Sequence, residues 1–533
     1  MTAPLHISLS VAILPAYILI TVLIGWRSRR RATDANDYLN ASRSLPLWIV
    51  TSAFVAANCG ALEIIGLSAM AAQYGVQAFQ FYWIGAIPAM IFLGYLMIPI
   101  YMRSGVRSLP EYLEKRFDGE VRLMYAWLIV VSVIALSGIS LYAIGQVLSV
   151  VFGWSFSHCT MLAAGVVLIY VLLGGIRATI YNEVFQLLVI VAGLLPLLLS
   201  HRALWMDASR RLATQHHLWI GVPAFSPAAK LDQFGVIVGL GLVLSFGYWC
   251  TDFVLMQRAL TAKTVQEGRL VPVLAGFGKL GFSFLVVLPA MGAATLLGRR
   301  MPASFDQTLP ALMVATYGPV LLSLGVTAIL ASMMSGFAAN ISAFSAVWTE
   351  EIYRKSLKLN AAEEHYVHTG GVSAAVAVVL SVATSYIAFS FHNLMEYVQL
   401  IFSLFNAPIF AIFILGIFTR RATPKGAKWG LLIGVSFAVA HHILAVAGRL
   451  VYGSQMNADF HVAAYACAVT LLVGLFMSRP SGRKSDDQLE RCVYTRVRAE
   501  GHMDESAAPP SAMWWILASL LLGTCVVLNY LWR

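Results

Sequence analysis

Three charged residues lie inside stretches of the chain that are otherwise apolar. Glu63 lies in the run AANCGALEIIG, Lys279 lies in FGKLGFSFLVVLP, and Glu183 opens an apolar run after GGIRATIYN. A charged side chain at the centre of a bilayer costs roughly 2.5–3.5 kcal/mol on insertion scales, so each one needs a partner or a function. We expect Glu63 and Lys279 to share a polar cavity, either as a pair that a solute or a proton disturbs or as a structural ion pair.

The elements that must position these residues are long apolar segments. The chain has 533 residues, of which 59% are hydrophobic and 11% are charged, whereas soluble domains carry roughly a quarter charged residues. A helix needs about 20 apolar residues to cross a bilayer. Segments of that kind lie near 8–26, 46–70, 77–102, 122–148, 159–173, 182–200, 233–255, 270–297, 317–347, 369–391, 394–418, 427–448, 460–477 and 512–532. The sequence therefore predicts an all-α membrane protein with about 14 transmembrane helices.

Basic residues concentrate in alternate loops between these segments. The rich loops lie near 27–31, 103–116, 177, 258–269, 354–358, 420–428 and 479–484. By the positive-inside rule these loops are cytoplasmic, so both termini are predicted to face the periplasm or the outside. The net charge of +11 is then a signal of topology and of contact with the lipid bilayer. No soluble basic face that would bind nucleic acid is evident.

Other classes of function find little support in the sequence. The cysteines form no CxxC pair and most lie in the apolar segments, which argues against disulfides and structural zinc. The longest polar stretches, about 201–232, 349–368 and 478–511, are too short to bury a separate core. Since no nucleophile–base pair, metal motif or cofactor loop is evident either, we do not expect an enzyme. The chain is predicted to form one membrane domain, 1–533, in which 478–511 is a cytoplasmic linker.

Small and polar residues interrupt two of the apolar segments. They are Asn58, Gly60, Glu63 and Gly66 in 46–70, and Ser245, Gly247, Thr251 and Asp252 in 233–255. Unwound backbone survives at membrane depth only where protein or a water-filled cavity surrounds it. If 46–200 and 233–418 form two halves, both interruptions fall in the first helix of a half, as in an inverted-repeat transporter with its site at the midplane. The alternative is that these residues are small contacts in a tight helix bundle.

Longer motifs resemble a known family. AANCGALEIIGLSAMAAQYGVQAFQFYW and PIYMRSGVRSLPEYLEKRF are similar to the first core helices of the sodium/solute symporter family. GGIRATIYNEVFQ, YWCTDFVLMQRALTAKT, FSAVWTEEIYR and YVQLIFSLFNAPIFAIFILGIFTRR resemble its later landmarks in the same order. The resemblance covers roughly residues 35–430, and within the family it points to the sodium–sugar cotransporter branch. It implies a five-plus-five inverted repeat, with 8–26 as a peripheral first helix and 427–533 as additional helices.

The resemblance also implies a solute site. The sugar-contacting and gating positions of the sugar branch fall on Glu63, Tyr82, Ser245, Tyr248, Lys279 and Gln399. The gate tyrosine, the lysine and the glutamine are kept as Tyr248, Lys279 and Gln399. Glu63 replaces a glutamine, Tyr82 a glutamate, and Ser245 an asparagine, while Gly85 replaces a nearby serine. We therefore expect a pocket in the family's place with altered chemistry.

A sodium site is implied in the same way. The family's ligands fall on backbone carbonyls of Ala56 and Cys59 and on Ser332 and Ser335, while Gly336 stands where a second hydroxyl is usual. Glu183 takes the place of an aspartate and could help to attract the cation. Sodium coupling is the expectation. Proton coupling through Glu63 is the alternative, because a buried carboxylate can take up a proton.

These inferences predict a cation-coupled symporter in a bacterial-type inner membrane, which carries a sugar or sugar-like polar solute by alternating access. One alternative is a proton-coupled or sodium-independent carrier of a sugar acid or monocarboxylate, whose carboxylate would pair with Lys279. A second alternative, from another class, is a transporter-like sensor that binds its ligand without accumulating it.

Overall fold

A computed structural model describes residues 10–29, 45–106, 108–173, 176–200, 217–219, 221–357, 360–479, 482, 484–485, 489–494 and 509–533. All regular elements in these ranges are helices. Several basic residues of the predicted cytoplasmic and outer loops, including Arg30, Arg31, Arg107, Arg202 and Arg210, lie outside the described residues.

The helices, in chain order, are α1 Ser10–Arg29, α2 Leu47–Ala57, α3 Leu62–Phe79, α4 Phe81–Arg103, α5 Leu109–Arg116, α6 Gly119–Phe152, α7 Phe156–Leu173, α8 Ile176–Ser200, α9 Gly235–Thr251, α10 Phe253–Ala259, α11 Val265–Leu297, α12 Thr308–Thr316, α13 Pro319–Leu357, α14 Glu363–Ser390, α15 Leu394–Phe418, α16 Pro424–Val446, α17 Gln455–Phe476 and α18 Ala512–Leu531.

Polar caps fix where several of these helices begin. Asp118 accepts a hydrogen bond from the backbone N–H of Val121 at the start of α6, and Asn393 accepts one from Glu396 at the start of α15. Such side chains satisfy backbone donors that have no partner inside the helix. These two apolar helices therefore start at polar capping residues.

The apolar helices are long enough to cross a membrane. Among the described residues, ten helices meet the length and composition required, and the pair α2 and α3 would make an eleventh if its two helices form one bent span. Three shorter apolar helices are Ala12–Ile24, Phe156–Leu168 and Gly235–Thr251. The prediction of an all-helical, multi-pass membrane protein is confirmed.

The first predicted interruption is a break in the helix, whereas the second is a break only at Asp252, because Ser245, Gly247 and Thr251 lie inside the continuous helix α9. The axes of α2 and α3 differ by 61° across residues 58–61. Between α9 and α10, Asp252 has extended backbone (φ −75°, ψ 128°), and its side chain accepts the N–H of Leu255 at 2.8 Å to cap α10. The predicted segment 46–70 ends too early, since α3 keeps its α-helical conformation beyond residue 70 as far as Tyr74.

A buried carboxylate ties the loop between α11 and α12 to the start of α15. Asp306, which lies between α11 and α12, is 1% exposed and accepts the backbone N–H of Leu394 at 2.9 Å. The hydroxyl of Tyr142 on α6 donates to the same carboxylate at 3.2 Å. Burial raises the pKa of Asp306 from 3.8 to about 7 despite these hydrogen bonds. The first turn of α15 is thus held by a group that titrates near neutral pH.

Candidate functional site

A cavity with about 570 Å³ of empty space, part of it open to solvent, lies between the two broken helices and α15. Its wall is formed by Leu62, Glu63, Leu67, Phe81, Tyr82, Ala86, Leu240, Leu244, Ser245, Tyr248, Trp249, Met395, Val398, Gln399 and Phe402. Five of the six predicted solute-binding residues are in this wall: Glu63, Tyr82, Ser245, Tyr248 and Gln399. The sixth, Lys279, lies behind the wall.

Lys279 and Glu63 form the ion pair expected from their positions inside apolar segments. The ammonium of Lys279 on α11 is 3.4 Å from Oε1 of Glu63, and it donates to the backbone carbonyl of Asn58 at 2.6 Å. The lysine is fully buried, whereas the Glu63 side chain is 13% exposed and also accepts the N–H of Gly60 at 3.3 Å. A solute in the cavity therefore meets the carboxylate, and the lysine neutralises it from behind.

Aromatic rings enclose the lysine. Its Nζ lies 5.4 Å from the ring centroid of Tyr82 and 5.7 Å from that of Trp249. Ring faces attract a cation within about 6 Å, and the attraction grows when water is excluded. Because Tyr82 and Trp249 also line the cavity, they separate the ammonium from the space that a solute would occupy.

Asn58 joins the two broken helices. Its side-chain Nδ2 donates to the hydroxyl of Tyr248, 190 residues further along the chain. Tyr248 stacks on Phe402 of α15, with ring centroids 5.2 Å apart. We identified Asn58 in the sequence only as an interruption, although a buried amide inside an apolar segment was a usable signal for a site residue.

Three polar atoms around the cavity have no hydrogen-bond partner among the described residues. They are Oδ1 of Asn58, the hydroxyl of Tyr82 and Oε1 of Gln399, all buried. Buried polar atoms in native proteins nearly always have a partner. Two of the three are pure acceptors, and the third is a hydroxyl, which both donates and accepts. Together with Glu63 they make an acceptor-rich site.

Close helix packing brings Ser245 to the wall. Gly85 on α4 faces this residue so closely that a Cβ at position 85 would lie 2.9 Å from the Ser245 hydroxyl oxygen. A larger residue at position 85 would have to displace the Ser245 side chain.

The predicted cation ligands lie where α13 packs against the first break. The hydroxyl of Ser332 donates to the backbone carbonyl of Cys59, and the N–H of Cys59 donates to the carbonyl of Ala56 at 2.9 Å. Ser335 is buried one turn further along α13, where a Cβ on Gly336 would lie 3.8 Å from the Cα of Gly60. The structure thus brings the Cys59 carbonyl and the Ser332 hydroxyl together, and oxygen atoms of this kind are the ligands that hard cations take.

Glu183 has a different partner. Its carboxylate on α8 accepts from Nη2 of Arg258 at 2.6 Å and from Nε at 3.2 Å, and both side chains are buried. This two-point fork neutralises Glu183. The Glu183 carboxylate therefore pairs with Arg258 and has no hydrogen bond to Ser332 or Ser335.

Comparison with known proteins relates the whole arrangement to established transporters. The chain is 26% identical over 547 residues to human sodium/glucose cotransporter 4, covering 92% of this chain and 80% of the relative. It is 26% identical over 462 residues to the sodium/glucose cotransporter of Vibrio parahaemolyticus, covering 81% of this chain and 84% of the relative.

Solved structures share the fold. A Na⁺-coupled sialic acid symporter in a substrate-bound, outward-open state matches with a TM-score of 0.71 at 19% identity, over 88% of this chain and 97% of that one. A nucleobase-cation-symport-1 family transporter in a closed conformation matches with a TM-score of 0.53 at 12% identity, over 85% of this chain and 97% of that one. The model of the sodium:solute symporter family matches residues 38–434. With most of its length matched by that model, and with the cavity between its two broken helices, the chain belongs to the sodium:solute symporter family.

Proposed function

We propose that the protein is a sodium-coupled symporter that carries a sugar or sugar-like polar solute by alternating access. The observation that supports this most directly is the cavity between the broken helices, whose wall carries Glu63, Tyr82 and Gln399. Polar groups that converge in a mostly apolar pocket are typical of sites for small ligands. The relatives described above are named sodium/glucose cotransporters, and their solute class suits the acceptor-rich wall.

The distribution of polar atoms favours a neutral polyol. The hydroxyl groups of a sugar can donate hydrogen bonds to the carboxylate of Glu63 and to Oε1 of Gln399. A sugar hydroxyl can also accept a hydrogen bond from the hydroxyl of Tyr82. The rings of Tyr248 and Phe402 offer an apolar face for the C–H side of a pyranose. A carboxylate-bearing solute would meet Glu63 first, because Lys279 is buried behind it. This argues against the sugar acid alternative.

Sodium is proposed to bind at the first break, with carbonyl oxygens of Ala56 and Cys59 and the hydroxyls of Ser332 and Ser335 as ligands. Such a cation would tie α13 to the unwound backbone at Cys59. The preceding residue, Asn58, donates its side-chain hydrogen bond to Tyr248. If sodium stabilises the conformation that binds solute, solute must stabilise sodium binding by the same free energy. Coupling between the two would therefore pass through residues 58 and 59.

The finer architecture is part of the proposal. Together with the bent pair, the three shorter apolar helices would complete the predicted fourteen spans. The broken helices would be the first members of two inverted five-helix repeats, 46–200 and 233–418. The basic loops support an orientation in which both termini lie on the periplasmic side of a bacterial-type inner membrane.

Uptake into proteoliposomes tests this function. The purified protein should accumulate a labelled hexose under an inward sodium gradient, and it should not do so when choline replaces sodium. The pocket variant Gln399→Ala should reduce uptake, while Gln233→Ala serves as a control outside the cavity wall. Accumulation driven only by a proton gradient would select the proton-coupled alternative. Saturable hexose binding without accumulation under either gradient would select the sensor.

A further inference from the structure

A short piece of the linker between α17 and α18 is packed into the protein. We refer to residues 489–494 as the docked segment. Leu489, Cys492 and Val493 are at most 3% exposed, although they lie in a stretch that is otherwise polar. The N–H of Tyr494 donates to the carbonyl of Ile417 at the end of α15, at 2.7 Å.

The docked segment is also held by α5. The hydroxyl of Tyr112 donates to the backbone carbonyl of Cys492 at 2.8 Å. Upstream, the ammonium of Lys484 donates to the carbonyls of Glu114 and Lys115, at 3.2 Å and 2.7 Å. These carbonyls are at the C-terminal end of α5, where a cation is favoured by the helix dipole. The segment thus bridges the ends of α5 and α15.

Tyr112 belongs to an aromatic cluster that we call the tyrosine cluster: Tyr101, Tyr112, Tyr125 and Phe413. Tyr112 stacks on Phe413 with centroids 5.6 Å apart and meets Tyr101 edge-on at 5.4 Å. Tyr125 meets the same Phe413 edge-on at 5.7 Å. One rigid group of rings, drawn from four helices, therefore lies beneath the docked segment.

On its other side, the tyrosine cluster donates hydrogen bonds to the backbone next to the second break, at Asp252. The hydroxyl of Tyr101 donates to the carbonyl of Cys250 at 2.9 Å, and that of Tyr125 donates to the carbonyl of Thr251 at 3.1 Å. Carbonyls at a helix end lack intrahelical partners, and buried ones need another donor. A movement at Asp252 that shifts these carbonyls must release or move both tyrosines.

We propose that the docked segment is a strap that stabilises the second break in its present geometry through the tyrosine cluster. The rings of the tyrosine cluster are in direct contact, so one ring cannot move without displacing its neighbours. Undocking the segment removes the partner of Tyr112, loosens its stack on Phe413 and so loosens the two donors that hold Cys250 and Thr251. The linker thereby sets how readily the half-helices α9 and α10 move relative to each other.

Two variants act on the strap without touching the break. Tyr112→Phe deletes the hydroxyl and keeps the ring, and Leu489→Ala removes a buried anchor on the docked segment itself. Tyr317→Phe is the matched control, because it deletes the same kind of bond, a tyrosine hydroxyl to the carbonyl of Gly193 at 2.8 Å. The readout is amide hydrogen exchange of the full chain in nanodiscs, followed in peptides that cover 484–494 and 245–260.

Exchange should rise in both peptides for both strap variants. A lost neutral hydrogen bond gives roughly a two- to tenfold rise for Tyr112→Phe, and the lost anchor gives roughly tenfold or more for Leu489→Ala. Tyr317→Phe should leave both peptides unchanged. The proposal is overturned if Leu489→Ala speeds exchange in 484–494 but not in 245–260, or if it changes neither peptide. These readouts do not depend on which solute is carried.

Discussion

The Lys279–Glu63 pair gives a prediction that can be worked out from the structure. Lys279→Met removes the donor to the Asn58 carbonyl at 2.6 Å and the cation 3.4 Å from Glu63. Removing one member of a buried pair costs about 3–5 kcal/mol, because the remaining charge lacks compensation. We expect about 3 kcal/mol here, at the lower end of that range, since Glu63 is open to the cavity and keeps the Gly60 N–H.

Removing the other partner should cost at least as much, because Lys279 is more deeply buried than Glu63. In Glu63→Gln, Lys279 keeps the Asn58 carbonyl but loses its counter-charge, so we expect a loss of about 3–5 kcal/mol in the free energy of unfolding. The double variant Glu63→Gln/Lys279→Met buries no charge at either position. It should lose about 2 kcal/mol, which is less than Lys279→Met alone.

The assay is the free energy of unfolding of all three variants in bicelles, measured by steric trapping. Lys428→Met is the control, because Lys428 pairs with Asp118 at 3.3 Å on the surface, where an ion pair contributes at most about 1 kcal/mol. If the losses of the two single variants simply add in the double variant, the pair is not coupled. The reasoning about the buried charge would then be wrong.

Three further outcomes are expected. Tyr248→Phe removes the acceptor of the Asn58 amide and keeps the ring, so solute affinity should fall roughly two- to tenfold in equilibrium binding; an unchanged affinity would show that this bond does not shape the site. Glu183→Gln leaves the buried charge of Arg258 without its partner and should lower the free energy of unfolding by about 3–5 kcal/mol, whereas a loss of sodium affinity without that destabilisation would identify Glu183 as a cation ligand. The raised pKa of Asp306, about 7 against 3.8 when unfolded, means that the folded state binds this proton more tightly, so the stability it contributes is fully present below pH 3.8 and is lost as pH rises through 7. Unfolding measured from pH 5 to pH 8 should show that decline, and Asp306→Asn should flatten it; an equal slope in both proteins would contradict this assignment.

The sequence was sufficient to predict a multi-pass helical membrane protein and the positions of the breaks at Asn58 and Asp252, because both depend on local composition. Apolar segments of membrane length can adopt only helices or closed barrels, and their small and polar interruptions fall at the breaks near Asn58 and Asp252. The Glu63–Lys279 pair was also predictable, since two opposite charges in apolar segments have few other partners. The solute-site positions came from the family resemblance, and the cavity wall contains five of the six.

Contacts between distant segments could not be predicted. Nothing in the sequence pairs Asn58 with Tyr248 or Glu183 with Arg258. Arg258 and Arg116 were read only as loop charges that set the orientation, yet both are buried. Arg116 donates to the carbonyls of Gly416 and Thr419 at the end of α15. A basic residue in a loop can thus serve both topology and packing, and only tertiary structure separates the two uses.

Two consecutive peptide units at the first break serve two different tasks. The side chain of Asn58 donates to Tyr248 and its backbone carbonyl accepts from Lys279, while the next carbonyl, that of Cys59, accepts from Ser332. Because these two carbonyls belong to adjacent peptide units, a backbone movement that shifts one would strain the contacts of the other. If Cys59 and Ser332 bind sodium as proposed, altering Asn58 or Lys279 to fit another cargo would also change the affinity for the driving ion.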